Sequence, residues 1–150
     1  MKNLYDRATA ADVKNRLARL TVDSPRQWGR MNAAQAVAHL ARGMEMATGD
    51  RRPSRLIAGR LFGAFVKRLA LKDDAPFKRN SPTDPALVIK DDCDLEIERR
   101  RLADLIDRFV ASGPAGCTTH PHSFFGRMSP DEWSVLTYKH LDHHFRQFGV

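Results

Sequence analysis

The sequence predicts an all-α protein: a bundle of four long helices, crossed by a long loop and joined by a short extra helix at the N-terminus. Three observations predict this. Apolar residues recur at helical spacing in five separate segments. Those segments are bounded by capping residues and by Gly or Pro breakers. Strand-like sequence occurs only at Ala86-Leu87-Val88-Ile89, which is too short to build a sheet. The 150 residues suffice for one domain, residues 1–150, with a core of its own and no need of staples.

The elements can be taken in order. Thr9, with Asp12 three residues on, is placed to open a first helix to about Leu20, with Val13, Leu17 and Leu20 on its apolar side. Asn32 caps a second helix through His39 to about Thr48, closed by Gly49-Asp50. Ser54 opens a third, to about Leu71, whose buried side is expected to carry Leu56, Ile57, Leu61, Phe65 and Leu69. From Lys72 to Asp92 the chain is punctuated by Pro76, Pro82 and Pro85, and reads as an ordered loop crossing the bundle. A fourth helix runs from about Asp94 to Ser112 and stops at Gly113-Pro114. After a second loop, Ser129-Pro130-Asp131-Glu132 combines a cap, a proline at the first helical position and a capping box. It opens a last helix to about Gln147.

Composition narrows the functional classes. With 42% hydrophobic and 29% charged residues the chain has the make-up of an ordinary globule. No segment approaches the roughly 20 apolar residues of a membrane span, and the N-terminus lacks the apolar run of a secretory signal. A cytoplasmic protein with no membrane partner is expected. Cys93 and Cys117 form no CxxC pair, which argues against a disulfide framework or a thiolate zinc site. The net charge of +7 raises nucleic acid as a partner. The basic residues are dispersed, however, and the most basic stretch, 51–79, has few aromatics for base stacking, so nucleic acid is not the expected partner.

The histidines carry the chemistry. Of the six, three crowd into Lys139-His140-Leu141-Asp142-His143-His144. Residues four apart on a helix share a side, so His140 and His144 can present imidazoles to one point. Trp133, Leu136, Thr137, His140, His144 and Gln147 fall on one stripe, and Trp133 and Leu136 turn that stripe inward. Buried neutral histidines need partners for their ring nitrogens, and a metal supplies one. Two ligands do not complete a stable site, and His39 is the other histidine in a predicted helix away from this run. Packing within a helical core is the competing explanation for all three. Asp142 points away from the stripe, and Glu45 and Asp142 are expected to be exposed acids.

At this point a family resemblance enters. Trp133, then Tyr138-Lys139-His140-Leu141-Asp142-His143-His144-Phe145-Arg146-Gln147-Phe148-Gly149, resembles the C-terminal signature of an uncharacterised, domain-of-unknown-function branch of the DinB-like superfamily (DinB and YfiT-like metalloenzymes). Trp28-Gly29-Arg30-Met31-Asn32, with Gln35 and His39-Leu40, is similar to its N-terminal motif. So are the loop Lys78-Arg79-Asn80-Ser81-Pro82-Thr83 and the turn His122-Ser123-Phe124-Phe125-Gly126. The resemblance covers the chain from about Trp28 onward. The turn departs from the family's usual His-Pro-x-Phe-Gly, because a serine follows His122 and a His-Pro pair lies just before, at His120-Pro121. Neither His120 nor His122 is assigned a role.

What the resemblance implies is a four-helix bundle with a long crossover, often a homodimer, holding a divalent metal, commonly zinc or nickel, on three histidines. The matching positions here are His39, His140 and His144. Gln35, His143 and Gln147 are candidates to line the pocket or to steady a ligand from behind. Three neutral imidazoles leave a metal with open positions, suited to activating water, polarising a substrate or holding a thiolate. Relatives of this kind include transferases that use low-molecular-weight thiols, and a small-molecule hydrolase is also compatible. No serine, cysteine or carboxylate stands out as a nucleophile, so activity would run through the metal. A helical binding module without turnover is the alternative. On the last helix, Tyr138, Leu141, Phe145 and Phe148 form a second apolar flank that either fills the core or meets a second copy.

Overall fold

The computed structural model describes residues 1–150 as five α-helices with no strand. They are α1 (Arg7–Arg19), α2 (Ala33–Thr48), α3 (Ile57–Ala70), α4 (Leu95–Ser112) and α5 (Pro130–Gln147). Two short 3-10 turns, Pro85–Leu87 and Pro114–Gly116, punctuate the loops. No helix is long and apolar enough to cross a membrane.

Most boundaries follow from caps. Asn32 and Gln35 close a reciprocal capping box on α2, and Gly49 ends that helix in the left-handed conformation, at φ 85°. Asp94 caps α4 by accepting from the Ile97 N–H. Ser129, Pro130 and Glu132 open α5 as their spacing predicts. Helix α1 corrects the expected cap. Asp6 takes that place, its carboxylate accepting from the Thr9 N–H at 2.7 Å, and helix begins at Arg7. A carboxylate at a helix N-terminus satisfies an orphan donor and opposes the helix dipole, which a threonine hydroxyl does less well.

Each of α1, α2, α4 and α5 packs on two of the others: α1 on α4 and α5, and α2 on the same pair. Between them lies one core. It draws Val13 and Leu17 from α1, Val37, Leu40 and Met44 from α2, Leu102, Ile106 and Phe109 from α4, and Trp133, Leu141 and Phe145 from α5. Tyr138 and Phe148 are buried there too, so the second apolar flank of α5 fills this chain's own core.

Helix α3 stands apart and corrects two expectations. The element outside the packed set of four is α3, whereas α1 belongs to that set. The predicted buried side of α3 faces outward: Ile57 is 80% exposed, Leu61 72%, Phe65 67% and Leu69 50%. The physical reason is Gly59 and Gly63, the buried residues of this helix. Their face lies directly on the backbone of Phe124. A Cβ at Gly59 would stand 2.6 Å from the Phe124 carbonyl oxygen, and one at Gly63 would run into the same oxygen. The close approach uses the glycine side and leaves the larger apolar residues on the opposite one.

Candidate metal centre

Helices α2 and α5 pack against each other and carry the histidines to one point. His39 comes from the middle of α2, and His140 and His144 from successive turns of α5. One ring nitrogen from each lies within 4.8 Å of the other two. The His39 and His140 Nε2 atoms are 2.8 Å apart, and the ring centroids of the three pairs are separated by 4.8, 4.7 and 5.1 Å.

Hydrogen bonds behind the rings decide which nitrogens face inward. His39 Nδ1 lies 3.0 Å from the Leu87 carbonyl oxygen. A carbonyl only accepts, so Nδ1 carries the proton and Nε2 is left with a bare lone pair. His144 Nδ1 lies 2.7 Å from Gln147 Oε1. The Gln147 amide is itself oriented, because its Nε2 donates to the Trp28 carbonyl oxygen at 2.6 Å. Oε1 must then accept from His144, whose Nε2 is also bare. In the metal-free chain the third ring, His140, can place its Nε2 proton between itself and His39. These are the carbonyl and amide partners that histidine ligands ordinarily have behind them.

Burial keeps the rings neutral. Desolvation is the largest influence on all three, pushing His144 down to about 3, His140 well below its ordinary value and His39 in the same direction. Neutral imidazoles with inward lone pairs are the protonation state a cation needs. A tetrahedral metal spaces its nitrogen ligands roughly 3.3 Å apart at bond lengths of about 2.05 Å. The 2.8 Å pair would therefore open by about half an ångström. The donor set and tautomers fit a divalent metal of the imidazole-preferring kind.

The other candidate residues divide. Gln147 holds His144, as described. His143 packs edge-on against His144, at 5.0 Å between centroids, and against Trp28, at 5.6 Å. Arg79 lies over the Trp28 ring at 4.3 Å, so the N-terminal motif and the Lys78–Thr83 loop meet beside His143. Gln35 is placed elsewhere: it closes the capping box of α2, with its side chain on Asn32 and toward the Asp91 carbonyl. A side chain already committed at the helix N-terminus does not reach the histidines one turn on. Glu45 and Asp142 are not free surface acids either. Asp142 is buried between Arg16 and Arg146, at 2.8 and 2.7 Å, and Glu45 pairs with Arg51 and Arg101.

Three further contributors escaped sequence reasoning. The Leu87 carbonyl is backbone in a proline-rich link, and no side-chain pattern announces it. Gly43 faces His140, where a Cβ would stand 2.9 Å from Nδ1. A glycine inside a helix, one turn after His39, was the available signal, since it costs helix stability and often marks a close approach. His122 accepts at Nδ1 from the Phe124 and Phe125 N–H groups, at 3.0 and 3.2 Å. Its ring packs on Trp133, and burial lowers it to about 4. His120 lies apart, with Nε2 at 3.3 Å from the Pro53 carbonyl.

An all-helical chain that gathers three histidines, two buried and one half-buried, from two packed helices belongs to the class of helical proteins with a candidate metal centre. More particularly, its sequence matches the profile of the family described as Protein of unknown function (DUF1569) over residues 4–149, and the chain belongs to that family. No curated protein and no solved structure matches it.

Proposed function

We propose that this protein is a DinB-like four-helix bundle of α1, α2, α4 and α5, with the segment 49–94 as its long crossover. In this reading it binds one divalent metal, zinc or nickel, through His39, His140 and His144. The observation that carries the reading is the pair of fixed tautomers. Leu87 and Gln147 commit the Nδ1 protons of His39 and His144, which leaves Nε2 of each ring as the bare nitrogen, that of His39 lying 2.8 Å from His140 Nε2.

The activity we assign to this centre is transfer of a low-molecular-weight thiol to a small molecule, with hydrolysis of a small substrate as its nearest variant. A bound divalent metal supplies Lewis acidity and lowers the pKa of a thiol or water that joins it. The chain's own contribution is positional. Leu87 and Gln147 hold the rings, Trp133 and the α2–α5 packing exclude water, and Trp28 with His143 forms an aromatic wall next to His144. The enclosure of His39, 1% exposed, favours one competing reading, a metal-bearing module without turnover.

Elemental analysis of untagged protein beside the His140→Ala/His144→Ala variant tests the centre. About one equivalent of metal, absent from the variant, is expected; a chain that neither carries nor takes up zinc or nickel overturns it. Cobalt-substituted protein then separates the two readings. Addition of a small thiol should produce near-ultraviolet thiolate-to-metal absorption, and an unchanged spectrum would favour the non-catalytic module.

A further inference from the structure

Helix α3 presents to solvent what most helices bury. Ile57, Leu61, Phe62, Phe65 and Leu69 are each at least half exposed. The helix cannot roll to hide them. Its glycine face is seated on the Phe124 backbone. Near its start, Arg55 donates to the Ser123 and Gly59 carbonyls. Near its end, Lys67 bonds the Arg127 carbonyl and Glu132, and Lys139 of α5 donates to the carbonyls of Ala70 and Asp73.

The charge carried by the segment that holds this face is of one sign. Between residues 51 and 72 stand Arg51, Arg52, Arg55, Arg60, Lys67, Arg68 and Lys72, with no aspartate or glutamate. Arg51 and Lys67 are paired with Glu45 and Glu132, whereas the exposed side chains of Arg60 and Arg68 make no ion pair. At 100° per residue, Arg68 lies roughly 20° around the axis from Leu61, within the apolar stripe. A dry protein partner would bury that guanidinium and would have to bring its own counterion. A second copy brings the same acid-free segment. Of the two acids that follow the segment, Asp73 pairs with Lys72 at 3.6 Å, and Asp74 is turned toward the chain's start, accepting from the Lys2 N–H at 3.0 Å.

We propose that the outward face of α3 docks on an anionic phospholipid surface, with the helix lying flat in the headgroup layer. Phe62, Phe65 and Leu61 enter the acyl boundary while Arg60 and Arg68 meet lipid phosphates. Long cationic side chains reach back to the headgroups from an apolar face, which accommodates Arg68 where a protein partner would not. A helix of 14 residues is about 21 Å long, too short to span, and lies on the surface instead. The sequence expectation of no membrane partner rested on the lack of a spanning segment, which does not bear on surface attachment.

Co-sedimentation of the whole chain with vesicles tests this, using phosphatidylcholine alone and with phosphatidylglycerol added. Binding is expected only to the anionic vesicles and should fall steeply with salt. Phe62→Ser/Phe65→Ser should abolish it. Arg60→Ala/Arg68→Ala, which removes no packing, should weaken it roughly thirtyfold, at about fivefold per cation. Equal binding to neutral vesicles, or none to either, overturns the proposal. So does a dimer by sedimentation velocity that Phe62→Ser/Phe65→Ser dissociates without any vesicle binding, since the face would then belong to a second copy.

Discussion

Helices α3 and α5 both carry apolar side chains at helical spacing, and they use them oppositely. In α5 the stripe of Trp133, Leu136 and His140 and the flank of Leu141 and Phe145 all turn into the protein, so nearly the whole helix is covered. In α3 the equivalent stripe faces solvent and the covered residues are two glycines. Periodicity reports that a helix has an apolar face. It does not report what lies against that face. Where large residues and glycines occupy opposite sides, the side that permits the closest backbone approach can take the interior.

The largest effect expected from this contrast is on stability. Phe145 is fully buried in the core, and Phe145→Ala should cost about 3–5 kcal/mol in denaturant unfolding. A loss below 1 kcal/mol would mean that α5 is less enclosed than described. Acidity should be the next most visible. His122 sits neutral with its pKa lowered to about 4, and the unfolded chain titrates near 6.5. The depressed value makes the unfolded state bind the extra proton, so stability is complete above about pH 6.5 and falls as the pH drops toward 4. The slope is about 1.4 kcal/mol per pH unit for each such histidine. Metal-free protein should show it in unfolding curves at pH 7, 6 and 5, and a flat profile would sink it. Helix α3 has no histidine or acid, so its variants should leave that slope unchanged.

The glycine side of α3 can be probed directly. Gly63→Ala puts a methyl group against the Phe124 carbonyl, a rigid neighbour, and should destabilise by about 1–3 kcal/mol. If Gly63→Ala is silent, the close approach that turns α3 outward is not there. At the metal centre, Gln147→Ala should lower zinc or nickel affinity by about 10–100-fold in isothermal titration. Its amide fixes the His144 tautomer, so affinity should fall while the helix content stays the same. Unchanged affinity would show that His144 orients without it.

Much of this architecture is legible from particular residues. Asn32, and Ser129 with Pro130 and Glu132, mark the starts of α2 and α5 because capping is local chemistry set by a few neighbouring side chains. The four-residue spacing of His140 and His144 is legible for the same reason. Their meeting with His39 depends on tertiary packing, and the sequence offers it only through resemblance. The Leu87 carbonyl is less legible still, since every residue has one and only the path of the crossing segment brings this one to His39. Gln35 shows the converse. A polar residue one turn before His39 suggests a pocket, but its side chain closes a cap, a local demand that competes for the same amide.

The smallest expected effect completes the comparison. Phe65 is 67% exposed on α3, so Phe65→Ala removes little that folding had buried. Its cost should lie within about 0.5 kcal/mol, against several for Phe145→Ala. The same aromatic residue type at the same helical spacing would then differ by the side of the helix it occupies. A cost near that of Phe145→Ala would carry a different meaning. It would show that the α3 face is covered in the folded protein in solution, by a second copy or another segment, and unfolding measured over a range of protein concentrations would distinguish these. A concentration-dependent midpoint would identify the second copy, because only association couples stability to concentration.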